Sequence, residues 1–421
     1  MAKYIIEGGN RLKGEIKISG NKNSVLPCLA ATLLTSEQVT LTNVPQIADV
    51  AVFLEILRTL GAEVIETGED TVKITASKIT TSELPVELVS KLRASVLLVG
   101  PLLSRTKKVK FSHPGGDIIG RRSINTHLLG FSQLGYEFTV NDRNYEGKLK
   151  HSIKDDKNIF LGEPSVTATE NLILTSVLGS SKVTLMDSAQ EPHVVDLCNL
   201  LNLMGANISG VGTSTIVITP VEKLTGAEFR IGPDFIELGT YAVAQAITGG
   251  QITLTNVKLE GLESIVYWFL QAGIALKDEG EKVKIEIKDL KQVPNLTVRP
   301  WPGFPTDLMS VMIVLATQTP GVSLLHDWMY ESRMFFVDKL IGMGAHITIA
   351  DPHRVFVYGP SKLFGRDVES PDIRAGMALV LAALIAKGTS VINKAELIER
   401  GYGDVVGTLT SLGAKIERVD S

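Results

Sequence analysis

The segment Ser112-His-Pro-Gly-Gly-Asp117-Ile-Ile-Gly120-Arg-Arg122-Ser-Ile-Asn-Thr-His127 sets one carboxylate, Asp117, beside two guanidinium groups, Arg121 and Arg122. Pro114, Gly115 and Gly116 in succession, with Gly120 after them, cannot lie inside a regular helix or strand, so the segment is a loop. Ile118 and Ile119 are unusual in a loop that stays exposed and fit one that closes over something. A carboxylate beside cations on such a lid can donate a proton next to an anion. A solvated loop with ordinary surface charges is the alternative. Lys22 and Asn23 stand between a strand-like stretch (Glu15-Ile-Lys-Ile-Ser) and an apolar helical one, where free N–H groups and an ammonium make an anion site. A plain turn lysine gives the same pattern. Arg93 and Arg374 open two apolar stretches, Arg-Ala-Ser-Val-Leu-Leu and Arg-Ala-Gly-Met-Ala-Leu. A charge entering an apolar helix is costly unless it meets an anion. With Arg333 and Arg400 they imply a ligand carrying several negative charges. Trp301-Pro-Gly-Phe-Pro305-Thr-Asp307 is a stiff loop ending in a carboxylate, which suits a general base or an N-cap for the helix that follows. His127 and His193 have no partner by spacing and read as ordinary polar residues.

The elements that hold these residues repeat. Leu57-Arg-Thr-Leu-Gly61-Ala and Leu409-Thr-Ser-Leu-Gly413-Ala share a phrase whose looser copies end at Gly135, Gly205, Gly273 and Gly344, at spacings of 74, 70, 68, 71 and 69 residues. That period suits a small αβ unit rather than a solenoid. In each copy a helical pattern ends at the glycine, and an alternating hairpin-like stretch follows. A β-rich piece such as Val39-Thr-Leu-Thr-Asn or Gln251-Ile-Thr-Leu-Thr-Asn precedes the helix. Before that strand comes a second helix, apolar on every side in Ala378-Leu-Val-Leu-Ala-Ala-Leu-Ile-Ala, hence buried. Six units divide as three plus three at Phe229-Arg-Ile-Gly-Pro-Asp-Phe235. One α/β domain spans 22–232 and carries the lid 112–127. The other spans 233–421 and is completed by residues 1–21. A cleft between two similar domains is a natural small-molecule site that closes by hinge motion.

The chain has 421 residues, a net charge of −4 and only two cysteines, Cys28 and Cys198. No basic run marks a nucleic-acid partner. No apolar run approaches the roughly 20 residues that span a bilayer, and no signal peptide opens the chain. Two cysteines make no disulfide framework and no Cys/His metal cluster. The expectation is a cytoplasmic protein without a structural metal.

Taken together, the six repeats, Lys22-Asn23, Pro114-Gly-Gly, Gly120 before Arg122, Phe304-Pro-Thr-Asp307, Glu331-Ser-Arg333, Asp372-Ile-Arg374 and Arg400-Gly-Tyr resemble the enolpyruvyl transferases over the whole chain. Ser19-Gly-Asn-Lys-Asn23 and the Pro-Gly-Gly lid are similar to the amino-sugar branch rather than the shikimate branch. The resemblance implies an α/β fold of two inside-out α/β domains, each of three repeated βαβαββ-type units, with an active-site cleft between them. It implies transfer of the enolpyruvyl group of phosphoenolpyruvate to the 3-hydroxyl of UDP-N-acetylglucosamine by addition-elimination with release of phosphate and with no metal or organic cofactor, the first committed step of peptidoglycan synthesis and so of cell wall biogenesis, cell shape and division. By the same resemblance Lys22, Asn23, Arg122, Arg333, Arg374 and Arg400 bind phosphoenolpyruvate. Asn23, Arg93, Arg122, Ser123, Ile124, Asn125, Thr126, Ser165, Val166, Asp307 and Met329 meet the nucleotide sugar. Asp117, Asp307, Lys22, Arg122 and Arg400 carry the catalysis. Three departures stand out. Asp117 occupies the place of the family's lid cysteine, as in some members, which implies resistance to epoxides such as fosfomycin. Arg122-Ser-Ile-Asn-Thr126 replaces Arg-Pro-Val-Asp-Leu, and Glu163-Pro-Ser-Val-Thr167 replaces Lys-Val-Ser-Val-Gly. The last two, through Glu163 and Asn125, leave open the same chemistry on another acceptor; a paralogue that binds the nucleotide sugar without catalysis is the other alternative, and the retained Lys22, Asp117, Asp307 and Arg400 argue against it.

Overall fold

A computed structural model describes residues 2–116, 119–120 and 122–420. The chain divides into two compact units, one built from Gly20–Gly116 and 122–232, the other from residues 2–19, Ile119–Gly120 and Pro233 onward. Gly20 and Asn21 thus lie with the first unit, two residues earlier than the boundary read from sequence. The reason is local. Asn21 accepts from the amides of Asn23 and Ser24, and its own amide donates to Gly232 O at 2.7 Å.

Each unit has helices inside and sheets outside. The inner helices of the first unit are α1 (Lys22–Ala31), α2 (Val99–Thr106, entered through a 3₁₀ turn Arg93–Leu98) and α3 (Val166–Ser176). Those of the second are α4 (Phe235–Thr248), α5 (Met309–Ala316) and α6 (Ile373–Ile385). Every residue of α5, and all of α6 up to Leu384, is buried. A helix apolar all round has no face to offer water, so it becomes the centre and the sheets become the coat. Close approach needs small residues. At Gly100 of α2 a Cβ would come within 2.6 Å of Asn171 O on α3.

The described residues form six sheets with one recurring order. In the first, Glu228–Arg230 runs parallel to Gln38–Thr42, which pairs antiparallel with Thr71–Thr75, and that strand with Glu63–Thr67. The sheets built on Val183–Met186, Gln251–Thr255, Gly321–His326 and Thr389–Asn393 repeat this one parallel and two antiparallel pairings. In the sixth sheet, on Lys108–Ser112, the parallel strand shrinks to a bridge between Glu83 and Lys110. Strands alternate buried and open residues, as in Val39 and Leu41 or Ile252 and Leu254, because only one sheet face meets the inner helices. The six repeat glycines, Gly61, Gly135, Gly205, Gly273, Gly344 and Gly413, have φ between 87° and 104°. Other residues rarely adopt that conformation, which is why this part of the repeat is so legible.

Candidate active site

The inner helices start where the charged residues sit. In the first unit the Asn21 cap fixes the first turn of α1, and Lys22 Nζ reaches Asp49 Oδ2 at 2.6 Å. Both groups are largely withdrawn from water, so the ammonium keeps a counter-ion close by. Asn23 sits in the same turn, and its amide goes to the cap. Arg93 opens the 3₁₀ turn before α2 and donates through Nη2 to Ser123 O at 3.0 Å. Arg122 and Ser123 lead into a helix, Asn125–Gln133, with Ile124 buried at its start and Ser123 Oγ accepting from Asn125 N. Ser165 precedes Val166, the first residue of α3. The starts of these two helices are stitched together. Thr126 donates its hydroxyl to Glu163, and His127 Nε2 meets Thr167 Oγ1 at 3.1 Å.

His127 corrects the sequence reading. It is buried, its Nδ1 lies 3.0 Å from Asn171 Nδ2, and its pKa is pushed down to about 3 by burial and then by the charge of Arg93. It is a neutral structural link, not an ordinary polar residue. Its partners lie 40 and 44 residues away, beyond any spacing rule.

In the second unit Asp307 lies in the 3₁₀ turn Thr306–Leu308 before α5. Its carboxylate caps no helix. Oδ1 accepts from Arg333 Nη2 and Oδ2 from Arg374 Nε, each at 3.0 Å. Both arginines are buried. Burial works to lower their pKa values, but the surrounding carboxylates outweigh it, so both stand above the usual arginine value. For Arg333 these are Asp307, Asp372 and Asp327; for Arg374 they are Asp307 and Asp234, joined by Tyr402. Asp372 also caps α6, accepting from Arg374 N and Ala375 N. Arg374 lies over the Tyr402 ring, 5.4 Å from its centre, and Gly401 adjoins its Nη1, which brings the half-buried Arg400 to the same neighbourhood. Met329 lies in the loop that leads to Arg333. Among the described residues Arg333 Nε and Arg374 Nη1 are buried donors with no hydrogen-bond acceptor. Buried donors are normally satisfied, so Arg374 Nη1 is suited to an incoming anion, whereas Arg333 Nε faces Asp327 Oδ2 at 4.0 Å.

The structure therefore gathers Asp307, Arg333 and Arg374 directly, with Met329 and Arg400 nearby. In the other unit it links Arg93 to Ser123 and pairs Thr126 with the residue two before Ser165. Asp117 and Arg121 of the lid lie outside the described residues. Ile119 and Gly120 are described: Ile119 O accepts from Ser332 N at 3.1 Å, and a Cβ on Gly120 would come within 2.3 Å of Glu331 Oε2. Sequence reasoning missed Asp49, Asp327, Asp372 as an ion-pair partner, and Tyr402. Only Asp372 carried a signal, an aspartate two residues before a helical arginine.

Residues 6–409 match the family described as EPSP synthase (3-phosphoshikimate 1-carboxyvinyltransferase). A Treponema denticola protein named UDP-N-acetylglucosamine 1-carboxyvinyltransferase is 46% identical over 99% of both chains. A Bradyrhizobium diazoefficiens protein of the same name is 47% identical over 99% of this chain and 98% of its own. Among solved structures, the enolpyruvyl transferase NikO from Streptomyces tendae superposes with a TM-score of 0.89 at 24% identity, covering 100% of this chain and 99% of that one. EPSP synthase from Acinetobacter baumannii does so at 0.77 and 16%, covering both chains fully. These two likenesses speak for the fold.

Proposed function

This chain belongs to the EPSP synthase family of enolpyruvyl transferases, and from that membership we propose that it transfers the enolpyruvyl group of phosphoenolpyruvate to the 3-hydroxyl of UDP-N-acetylglucosamine, releasing phosphate. The observation that supports this reading on the structural side is the carboxylate of Asp307 held between two buried arginines, of which Arg374 keeps a donor, Nη1, without an acceptor. The reaction needs those parts. A proton adds to C3 of phosphoenolpyruvate, and C2 becomes an electrophile. The sugar oxygen forms a bond to C2 while its own proton passes to a base. C3 then loses a proton, the C2–O bond to phosphate breaks, and the vinyl group is restored. Asp307 is the base that takes the sugar proton. Arg333, Arg374 and Arg400 bind the carboxylate and phosphate of the small polyanion, and Lys22, Asn23 and Arg122 complete its charge neutralisation. Asp117 transfers the proton at C3. Arg93, the run from Arg122 to Thr126, Ser165, Val166 and Met329 receive the nucleotide sugar. No helix among the described residues is long and apolar enough to cross a membrane.

One observation favours a second reading, the same chemistry on another acceptor. Glu163, an acid where the resemblance expects a cation, is engaged with Thr126 at the start of the neighbouring helix. Phosphate release, measured with phosphoenolpyruvate and a panel of nucleotide sugars, separates the readings. Release with UDP-N-acetylglucosamine and a product heavier by one enolpyruvyl group is expected. Release with a different sugar nucleotide alone would establish the second reading, and release with none would remove both.

A further inference from the structure

Building on the transferase reading, we infer that Asp327 is a positioning residue that locks the turn bearing Asp307 and the segment bearing Arg333 into one arrangement through Thr306. Asp307 and Arg333 are 26 residues apart, yet their side chains meet at 3.0 Å. Something must hold the two stretches of backbone in register. Asp327 is placed to do so. Its side chain is completely buried, and its Oδ2 accepts the hydroxyl of Thr306, the residue immediately before Asp307. The same oxygen lies 4.0 Å from Arg333 Nε. Its Oδ1 accepts from Met329 N at 3.0 Å and Tyr330 N at 3.3 Å, which fixes the loop running into Arg333. The backbone of Asp327 is held as well, its carbonyl lying 2.7 Å from His353 Nδ1.

A carboxylate has about four lone-pair sites. Three hydrogen bonds engage both oxygens of Asp327, and the Arg333 guanidinium lies beside one of them, so the residue is completely enclosed by protein groups and acts through its neighbours. Burial pushes its pKa upward, while the Thr306 hydroxyl, Arg333 and the two amides pull it back. An asparagine would keep one oxygen for the amides and turn an N–H₂ group toward Arg333, where two donors would face each other. Ile119 and Gly120 of the lid rest on Glu331 and Ser332, within the segment that Asp327 fixes. One buried carboxylate thus sets the base and a cation together.

Three variants test the inference: Asp327→Asn, Asp327→Glu and Thr306→Val, with the double variant Asp327→Asn/Thr306→Val. In Asp327→Asn, kcat should fall and KM for phosphoenolpyruvate should rise, each by about tenfold or more, because both the base and a cation are displaced. Thr306→Val should lower kcat by a similar factor and leave that KM within roughly twofold, since only the base loses its tether. The double variant should be no worse than Asp327→Asn, as expected of residues acting through one contact. Asp327→Glu should recover part of the KM loss. Crystal structures provide a readout independent of turnover: the contact between Arg333 Nη2 and Asp307 Oδ1 should be lost in Asp327→Asn. If Asp327→Asn fails to fold, Thr306→Val, which removes a single hydroxyl, carries the test through its kcat and KM. Wild-type kinetics with the contact intact in both single variants, or fully additive losses, would overturn the inference. A wild-type protein without turnover would overturn the transferase reading instead, and the crystallographic comparison would still decide the role of Asp327.

Discussion

At the scale of single residues, the sharpest expectation concerns Asp117. A free aspartic acid titrates near 4, so a proton-donating Asp117 needs surroundings that favour its neutral form. Exclusion of water and a nearby phosphate both act in that direction. Asp117→Asn should therefore abolish most turnover, whereas Asp117→Cys should keep some, because a thiol also donates a proton. An epoxide such as fosfomycin should leave the wild type active and inactivate Asp117→Cys. The native cysteines offer no alternative target. Both are buried, and burial raises the Cys198 thiol to about 12 and the Cys28 thiol well above its usual value, so neither supplies a thiolate. Rapid inactivation of the wild type would exclude this role for Asp117. Asp307→Asn should lower kcat by roughly 10²–10⁴, the usual contribution of a general base. It should also lower the melting temperature, because two buried guanidinium groups lose their shared counter-charge. Unchanged turnover would place the base elsewhere. Sequence left Asp307 between base and N-cap. The structure adds two arginine partners distant in the chain, which no local pattern encodes, and the variant tests the base.

At the scale of elements, the candidate residues share one address. Lys22 opens α1, Arg93 the turn before α2, Ser165 and Val166 the start of α3, Asp307 the turn before α5, and Arg374 the first turn of α6. Each repeat presents the N-terminus of its inner helix, whose positive dipole end suits anionic ligands. The helix α4 completes the set with an acid instead of a cation. Asp234 caps it, and Glu237, three residues on, is buried and accepts Ser19 N at 2.9 Å. Burial and then the charge of Asp234 raise the Glu237 pKa to about 8, against the opposing effects of Ser19 and Arg374. The folded state therefore holds this proton more tightly than the unfolded chain, whose carboxyl titrates near its ordinary 4.5. The stabilisation is full below that value and is lost as pH rises through 8. Glu237→Gln should flatten the decline. Denaturant melts between pH 4.5 and 8.5 should show wild type losing stability relative to the variant across this window, and parallel curves would contradict the assignment. The helices themselves were legible because apolar periodicity and terminal glycines are local. The stitching of Thr126 to Glu163 and of His127 to Asn171 was not, because it links neighbouring repeats.

At the scale of the whole molecule, the sheets expose how the repeats close. In the first sheet the hairpin Glu63–Thr67 and Thr71–Thr75 is consecutive in sequence, and its second strand lies next to Gln38–Thr42. In the last sheet the same two places are taken by Lys415–Asp420 and by Ala2–Glu7, with the N-terminal strand next to Thr389–Asn393. Ala2 pairs with Asp420 and Glu7 with Lys415, so these two strands pair as the arms of a hairpin do. The N-terminal strand is integral to the unit. Ala2, Tyr4 and Ile6 are buried, and the Tyr4 hydroxyl donates to Glu399 at 2.9 Å. Ile6→Ala should cost about 2–5 kcal/mol, as for other fully buried aliphatic side chains. Sequence indicated a spare strand that completes the second half. The pairing partner lay some four hundred residues away, and only the count of six repeats pointed to it. A circular permutant follows from the geometry. Asp420 joined to Ala2 through a short glycine-containing turn would restore the consecutive hairpin seen in the first sheet. The chain would open instead between Asn10 and the exposed Arg11, in the connection between the first two strands. This permutant should fold, melt within a few degrees of the native order and keep its turnover, because it preserves every strand pairing and touches none of the candidate active-site residues. If it failed to fold while Ile6→Ala behaved as expected, the native connection through Gly8 to Leu12 would itself be needed. The bonds from Gly8 N to Gly388 O and from Gly9 N to Leu384 O would then be the first to restore.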